Sequence, residues 1–310
     1  MMSFLHTPVA MVGIGNMGLA MALRLRDAGQ AVRVHDIDAR RHALAAAAGA
    51  TVADSPAAAA QGCAFLIVTV VDAAQTEQVL FGAQGAAAAL PAGAAVMLCP
   101  TIAPDDIERL AGRLDAAGLG WLDAPMSGGP ARARDGSMSL MVAAAPALFA
   151  AHQALLRHLA ARLFALGPRP GDGARTKLIN NLLAATNLAA AAEALALAGR
   201  IGLDPALTLA VIEQSSGQSW IGSDRMARAL AGDFAPRAHT TLLAKDSALA
   251  MAMAAQAGVV PALGSQAAAM FQAALAAGHG GEDDARLLSL LQQQWQAADP
   301  AAADATQNVP

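Results

Sequence analysis

Residues 173–203, GARTKLINNLLAATNLAAAAEALALAGRIGL, mark the point where the character of the chain changes. They are almost entirely alanine and leucine, which predicts one long helix too apolar to lie on a protein surface. Near its start, Lys177 and Asn181 are one turn apart and share a face, and Asn180 stands beside them. A buried cation and amide need a partner or a function, although Lys177 reaching solvent and amides bonding to nearby backbone would explain them equally well.

A dinucleotide-binding pattern opens the chain. The apolar run 8–12 is followed by GIGNMG, by an alanine- and leucine-rich helix up to residue 28, and by a strand that ends in Asp36. In this fingerprint Gly13 makes the tight turn and Gly15 lets the backbone approach a pyrophosphate at the helix N-terminus. We therefore predict that a dinucleotide cofactor contacts Gly13, Ile14, Gly15, Asn16, Met17, Gly18 and Asp36.

The acid at the end of the second strand bears on the choice of cofactor. A carboxylate at Asp36 accepts hydrogen bonds from the adenosine ribose and repels the 2′-phosphate of NADP. Asp38 adds to the negative potential, whereas Arg40 or Arg41 could reach a phosphate. Because the two acids precede the arginines, we predict NAD as the cofactor and keep NADP as the alternative.

Further alternation predicts an α/β arrangement up to about Gly167. Apolar runs predict strands at 65–71 and 94–99, and alternating patterns predict strands at 137–143 and 162–166. Asp72 can cap the helix that follows the first of these strands, and Pro104 opens a helix that ends at residue 117.

Small residues form a loop within DAPMSGG, at residues 123–129. Ser127, Gly128 and Gly129 come at the end of a predicted strand, where such loops present backbone N–H groups to a carboxylate or phosphate. An ordinary turn explains these three residues equally well without further context.

After residue 173 only helices are predicted, at 175–200, 205–215, 222–231, 238–257, 261–277 and 282–296. We therefore predict an α/β Rossmann N-terminal domain at 1–167 followed by an all-α domain at 168–296, joined by a long helix. Residues 297–310 lack any pattern, and we predict a frayed tail there.

Composition argues against several classes of function. A net charge of −4 without a basic cluster argues against nucleic acid as a partner. Cys63 and Cys99 lack metal-type spacing and are expected to be small buried hydrophobes in a reducing compartment, so we predict no metal and a cytoplasmic protein. Residues 1–7 are too short for a secretory signal. Asn187 and Glu193 interrupt the apolar stretch 182–198, which predicts a buried or interface helix and no membrane span.

Four blocks of the chain are recognisable together. They are GIGNMG, DAPMSGG, G-x-x-x-K-x-x-N-N at 173–181, and Lys245-Asp246. In this order they resemble the β-hydroxyacid dehydrogenase family, which includes 3-hydroxyisobutyrate dehydrogenase, tartronate semialdehyde reductase and 6-phosphogluconate dehydrogenase. The resemblance covers roughly residues 8–291. It implies a Rossmann domain and a helical domain, here 168–296, that serves substrate binding and dimerisation and often builds a dimer or tetramer. It also implies NAD(P)-dependent oxidation of a small β-hydroxy acid such as 3-hydroxyisobutyrate.

The resemblance also implies roles for the matching positions. The general acid/base would be Lys177. The groups that hold the substrate carboxylate and orient the substrate would be Ser127, Gly128, Gly129 and Asn181. The residues on the nicotinamide side would be Thr101, Lys245 and Asp246. Trp220 is a candidate wall of the substrate pocket, and packing in the core is an equal alternative.

Two departures bear on the subfamily. The family commonly has D-x-S-T where this chain has LCPT at 98–101. The segment SSGQSWIGSDRM at 215–226 is more similar to the threonate dehydrogenase branch, which oxidises sugar-acid-like substrates, although that branch often has glutamine in place of Asn181. A four-carbon sugar acid is therefore the alternative substrate.

The expected reaction removes a hydride from a C–H bond and a proton from the neighbouring O–H group. The cofactor takes the hydride, and a lysine can take the proton when burial and nearby positive charge lower its pKa. An imine reductase of the same fold usually lacks such a lysine, and a non-catalytic binding module would tend to lose it. A purely structural helical oligomer would leave GIGNMG and Asp36 without a purpose.

The long helix also predicts assembly. Residues 182–198 are apolar around nearly the whole circumference, and such a helix must be covered on all sides. Because the helices after it are short and rich in alanine, one chain supplies little bulk to cover it. We therefore predict a homodimer or homotetramer built through the helical domain.

Overall fold

Strands and helices alternate up to a long helix, after which the chain is helical. This computed structural model describes residues 7–297, so the predicted frayed tail lies outside the described residues from 298 onward. Within them, the strands are β1 (Val9–Val12), β2 (Val32–His35), β3 (Thr51–Val52), β4 (Phe65–Val68), β5 (Ala95–Leu98), β6 (Gly120–Asp123), β7 (Met126–Ser127), β8 (Met138–Ala143) and β9 (Ala160–Gly167).

The helices of the same residues fall into two groups around the long helix. Those before it are α1 (Asn16–Asp27), α2 (Ala39–Ala47), α3 (Pro56–Ala60), α4 (Ala73–Phe81), α5 (Pro104–Ala116), α6 (Gly129–Asp135) and α7 (Pro146–Leu159). The long helix is α8 (Asp172–Arg200). Those after it are α9 (Pro205–Glu213), α10 (Trp220–Leu230), α11 (Thr240–Gln256), α12 (Ala262–Ala276) and α13 (Leu287–Ala297). Two 3-10 helices lie at Ala87–Ala89 and Asp284–Arg286.

The strands form one sheet in the order β3-β2-β1-β4-β5-β6-β8-β7, and β9 pairs with β8. Strands β1 to β6 pair in parallel, whereas β8 runs antiparallel to β6 and β7. The order 3-2-1-4-5-6 is that of the dinucleotide-binding fold, whose ligand crevice lies at the carboxyl ends of the strands where the order reverses. The predicted fold class, a Rossmann region followed by a helical region, is confirmed.

The composition of the central strands accounts for this sheet. VAMV, FLIV and AVML of β1, β4 and β5 are buried at every position, as parallel strands covered on both faces must be. Alternate residues point to opposite faces, so Met11, Ile67 and Met97 join one apolar cluster. Their neighbours Leu66 and Val96 join the other.

The chain divides into two compact units between Leu178 and Ile179. The second unit has its own apolar core, which includes Leu188, Leu195 and Phe271. The domain boundary at 167/168 stays a prediction, because α8 begins in the first unit and continues into the second.

Two of the differences between predicted and observed elements have a visible physical cause. The strand predicted at 65–71 ends at Val68, because Thr69 and Val70 pack under the turn at Gly13. The helix predicted at 282–296 begins only at Leu287. A 3-10 helix precedes it because the Asp283 carboxylate binds backbone N–H groups, including that of Ala285 at 3.1 Å.

Helix α8 is apolar on its exposed face as well as on its buried one. Leu188, Leu195 and their neighbours are buried, whereas Ile179, Leu183 and Leu197 are 59%, 61% and 51% exposed. A single chain therefore leaves one face of α8 uncovered, and its cover by a second copy of the chain stays a prediction. Among the described residues, α8 is the one helix long and apolar enough to span a membrane. Its mean hydropathy is 1.5 over a stretch of 18 residues, and 39% of that stretch is buried.

Two ion pairs join α10 to the first residue of the second unit's 3-10 helix and to the residue before it. Arg225 Nε lies 2.6 Å from Asp284 Oδ1, and Arg228 Nη2 lies 2.9 Å from Asp283 Oδ1. Burial raises the pKa of Asp284 to about 6, even though Arg225 favours its ionised form. Both aspartates are almost fully buried, so this cluster is part of the core.

The two cysteines are free and buried. Cys63 precedes β4, and Cys99 follows β5. Burial raises the pKa of both thiols, and the Asp123 carboxylate raises that of Cys99 further. Within residues 7–297, no three His, Cys, Asp or Glu side chains come together as a metal site.

Candidate active site

The glycine loop lies at the carboxyl end of β1, beside the end of β4. Gly13 has φ +87°, and a Cβ there would lie 2.8 Å from Val70 Cγ1. A Cβ at Gly18 would lie 2.6 Å from Thr69 Oγ1, and that hydroxyl donates to the Gly13 carbonyl. A Cβ at Gly15, by contrast, would meet no atom within 4 Å, so the backbone there is open to a bound group. This open turn fits the approach of a pyrophosphate.

Asp36 is tied to the same loop. Its Oδ2 accepts the Ile14 N–H at 2.6 Å, and its Oδ1 accepts the Asp38 N–H at 2.9 Å. The carboxylate therefore stands against the glycine loop, where the fingerprint places the acid that binds a ribose. The other predicted loop residues, Asn16 and Met17, form the first turn of α1.

The two arginines near Asp36 are not equivalent. Arg40 makes a two-fold hydrogen bond with Asp38, at 3.1 and 3.0 Å, and holds the pKa of that carboxyl below its usual value. Arg41 instead donates from Nη2 to Asn16 Oδ1 at 2.8 Å, so its guanidinium lies at the glycine loop. Only the second arrangement places a cation next to the predicted cofactor site.

The loop predicted to hold the substrate carboxylate follows β7. Ser127 ends this strand and pairs with Ser139 of β8. Gly128 and Gly129 have φ +132° and +74°, which L side chains rarely adopt. A Cβ at Gly128 would also lie 3.0 Å from the Arg132 side chain, so both glycines are required by the turn. The conformation of this turn therefore depends on both glycines. That it holds a substrate carboxylate stays a prediction.

Lys177 lies in the second turn of α8 and is only 8% exposed. The alternative in which this side chain reaches solvent is therefore wrong. Its helix begins against Asp123, the last residue of β6, which is fully buried. The Ala174 N–H donates to Asp123 Oδ2 at 3.2 Å, so the first turn of α8 is bonded to the sheet.

Asn181, Lys245 and Asp246 come together in the second unit. Asn181 donates from Nδ2 to Asp246 Oδ2 at 2.6 Å and accepts the Asn180 amide at 3.0 Å. Lys245 Nζ lies 2.8 Å from Asp246 Oδ1. The alternative in which the amides bond to nearby backbone is therefore wrong for Asn181. Asp246, predicted on the nicotinamide side, directly holds a predicted substrate group.

For two further predicted residues, the structure gives the position in the fold. Trp220 begins α10 and is 48% exposed, so the alternative of packing in the core is wrong. Thr101 is partly buried three residues beyond β5, at the same edge of the sheet as the glycine loop. The roles of both residues stay predictions.

Three features of the site escaped the sequence analysis. Thr69 supports the glycine loop and Asp123 anchors α8, and both act on residues more than 45 positions away. The third was visible in the composition. Of the 20 Lys and Arg residues, 18 are arginine, and the two lysines are Lys177 and Lys245. Lysine is therefore absent from the whole chain except at two predicted site positions.

Comparison with known proteins agrees with this arrangement. Residues 8–167 match the family model described as the NAD binding domain of 6-phosphogluconate dehydrogenase, and residues 171–291 match that described as NAD-binding of NADP-dependent 3-hydroxyisobutyrate dehydrogenase. An L-threonate dehydrogenase of Cupriavidus necator is 39% identical, over 91% of this chain and 95% of that protein. The mitochondrial 3-hydroxyisobutyrate dehydrogenase of Bos taurus is 32% identical, over 93% and 88%. A crystal structure of 3-hydroxyisobutyrate dehydrogenase from Salmonella typhimurium superposes with a TM-score of 0.86 at 35% identity, covering 92% of this chain and 99% of that one.

Proposed function

This chain belongs to the β-hydroxyacid dehydrogenase family and is an NAD(P)-dependent dehydrogenase of hydroxy acids, and we propose that Lys177 is its general acid/base. The observation that carries the proposal is the burial of this lysine in the second turn of α8. A cation is seldom buried unless a partner or a reaction requires it. Here it shares a helix face with the buried Asn181, one turn further on.

Different residues of this chain bind the substrate carboxylate, transfer the proton and orient the substrate. Ser127, Gly128 and Gly129 hold the substrate carboxylate, which fixes the reacting carbon in position. Lys177 takes the proton from the substrate hydroxyl during oxidation and returns it during reduction. Asn181, held by Asp246, orients the substrate, and Trp220 forms a wall of its pocket.

The bound cofactor supplies the hydride chemistry, because the nicotinamide accepts the hydride from the substrate carbon. Residues 13–18 would hold its pyrophosphate, and the open turn at Gly15 supports that fit. Thr101 and Lys245 would lie on its nicotinamide side. We propose NAD as the preferred form, because Asp36 stands against the loop and would repel a 2′-phosphate.

The substrate that we propose is a small β-hydroxy acid of the 3-hydroxyisobutyrate type. L-Threonate, a four-carbon sugar acid, is the second candidate. The 39% identity to the Cupriavidus necator L-threonate dehydrogenase and the segment at 215–226 favour it. Both acids offer a carboxylate to the 127–129 loop and a secondary or primary hydroxyl to Lys177.

A panel of hydroxy acids assayed by NADH absorbance, with NADP run in parallel, tests this proposal. We expect turnover with 3-hydroxyisobutyrate or L-threonate, and the ratio of their kcat/KM values decides between the two candidates. Turnover confined to imines, or cofactor binding without turnover of any acid, would reject it.

We further propose that a second copy of the chain covers the exposed apolar strip of α8, defined as Ile179, Leu183, Leu197 and the neighbouring Ile201. These four side chains are each more than half exposed. A homodimer or homotetramer built on this strip accounts for them without membrane insertion, and no nucleic acid is expected as a partner of a chain with a net charge of −4. The two unpaired cysteines support a reducing compartment, and we propose the cytoplasm.

A further inference from the structure

Asp123 is a fully buried carboxyl group that the proposed reaction does not use. It ends β6, and the next residue, Ala124, donates its N–H to the Leu98 carbonyl of β5 at 2.8 Å, so its backbone is fixed in the sheet. Its side chain meets the first turn of α8, where it accepts the Ala174 N–H at 3.2 Å and the N–H groups of Gly171 and Gly173 also face it. Two titratable groups interact with it electrostatically: the Asp172 carboxylate at the start of α8, and the neutral Cys99 thiol after the end of β5.

Gly173 shows how closely the helix sits on this carboxyl group. A Cβ at residue 173 would lie 2.6 Å from both the carbonyl oxygen and Oδ1 of Asp123. Gly173 has ordinary helical geometry without a positive φ, so the backbone itself does not require glycine. The glycine that opens the G-x-x-x-K block is therefore explained by contact with Asp123 and not by a turn.

Asp123 is connected both to the loop predicted to hold the substrate carboxylate and to the helix turn that precedes Lys177. Along the chain, Asp123 leads through Pro125 to Ser127, at the start of the loop that would hold the substrate carboxylate. Through its side chain it holds Gly173 and Ala174, which lie four and three residues before Lys177 and so share its face of α8. The spacing between the base and the carboxylate loop is thus set at Asp123.

We propose that Asp123 is a positioning residue of the dehydrogenase, which fixes the first turn of α8, and with it Lys177, to the strand that leads into the 127–129 loop. This inference rests on the proposed function, because it concerns how the base and the loop are held in register. A misplacement of about 1 Å between a base and its substrate is enough to lower the rate about 10²-fold.

Kinetics of three variants and two controls test the proposal. Asp123→Ala removes the anchor, and Gly173→Ala pushes the helix start away while favouring the helix itself. We expect both to lower kcat by about 10²-fold and to leave KM for NAD near its wild-type value. Asp123→Asn retains one oxygen for the Ala174 N–H, and its kcat should stay within about tenfold of wild type.

The controls make the same changes where no site depends on them. Asp204→Ala removes the cap of α9, and Gly112→Ala fills open space on α5, so neither should change kcat. Wild-type kcat in Gly173→Ala, or a loss in Asp123→Asn as large as in Asp123→Ala, would overturn the proposal. So would a rise of KM for NAD in step with the loss of kcat, which indicates general disruption.

Acylation of the lysines gives a measurement that does not depend on activity. Lys177 and Lys245 are the only lysine side chains in this chain that acetic anhydride can modify, and mass spectrometry resolves the two. We expect the rate at Lys177 to rise in Asp123→Ala and Gly173→Ala while the rate at Lys245 stays constant. Equal changes at both lysines, or none at either, would overturn the positioning role. If the wild-type protein oxidises no hydroxy acid, the proposed function fails and this labelling still tests Asp123.

Discussion

Buried polar side chains distinguish the proposed site from the apolar cores of the two units. Lys177, Asn181 and Asp246 are all less than a tenth exposed, in a chain whose buried residues are mostly aliphatic. Burying an ammonium or a carboxylate is costly unless hydrogen bonds or an ion pair compensate. The pair of Asn181 with Asp246 shows such compensation inside an otherwise apolar core.

We expect Lys177→Ala to lose at least about 10²-fold in kcat, because the substrate hydroxyl then lacks its proton acceptor. Binding of NAD should persist, since residues 13–18 are unchanged, and fluorescence titration with NADH checks this. Lys177→Met is the matched control for lost packing, because it keeps most of the buried stem. Near wild-type turnover of either variant would remove Lys177 from the mechanism.

Cofactor choice is predicted to depend on Asp36, with Arg41 as the residue that a phosphate would reach. Asp36→Ser should shift the ratio of kcat/KM values towards NADP, because the repelling carboxylate is gone. Adding Arg41→Ala should cancel this shift, whereas adding Arg40→Ala should not, since Arg40 is bound to Asp38. A wild-type enzyme that already prefers NADP would contradict this account.

The elements of the first unit were largely predictable, because the signals that specify them are local. A glycine loop after an apolar run and a capping aspartate before α4 lie within a few residues of what they determine, and Asp72 caps as expected. Helix α7 was not predicted, since alanine hides the apolar period of PALFAAHQALLRHL. Asp123 contacts α8 across 51 positions of sequence, and Asp246 contacts Asn181 across 65. Because these contacts are long-range, no local sequence pattern predicts them.

The pairing of α8 with α11 gives a prediction about stability. Asp246→Ala should lower the free energy of unfolding by about 1–3 kcal/mol, because the buried Asn181 amide loses its acceptor. Asp246→Asn keeps an acceptor and should cost less. Urea denaturation measures both, with Asp233→Ala as the control, because its ion pair with Arg237 is exposed and worth little. A loss equal to that of the control would contradict the role of this pair.

At the scale of the whole molecule, assembly follows from the exposed strip of α8. Leu197→Glu places a charge within the strip and should convert the oligomer to a monomer, because an apolar interface does not accept an unpaired carboxylate. Light scattering at micromolar concentration measures the mass. Leu44→Glu makes the same change at an exposed leucine of the first unit and should leave the assembly intact. A wild-type monomer with full activity would contradict the proposed oligomer.

Two buried carboxyl groups make stability depend on pH. Burial raises the pKa of Asp123 to about 7 and that of Asp284 to about 6. A carboxyl group whose pKa is raised on folding contributes stability below the unfolded pKa of about 4, and that contribution is lost as the pH rises through the folded value. Its window is therefore about pH 4–7 for Asp123.

The comparison of Asp123→Asn with wild type isolates this effect. Burial lowers the pKa of His152, which gives the opposite trend in the same window, but it does so in both proteins and cancels. From pH 5 to pH 8, the free energy of unfolding of the variant should therefore rise relative to wild type by more than about 1 kcal/mol. Urea denaturation at the two pH values measures it, and a constant difference would contradict the raised pKa.

The buried cysteines have a consequence for following motions of the sheet. A thiol reacts through its thiolate, and only when a reagent can reach it. Because both cysteines are buried and the pKa of each thiol is raised, neither Cys63 nor Cys99 reacts readily in the native structure. They stand at opposite edges of the sheet, because Cys63 precedes β4 at the amino ends of the parallel strands and Cys99 follows β5 at their carboxyl ends. The rate at which each is trapped therefore records the opening of its own edge, and the chain carries both probes without any substitution.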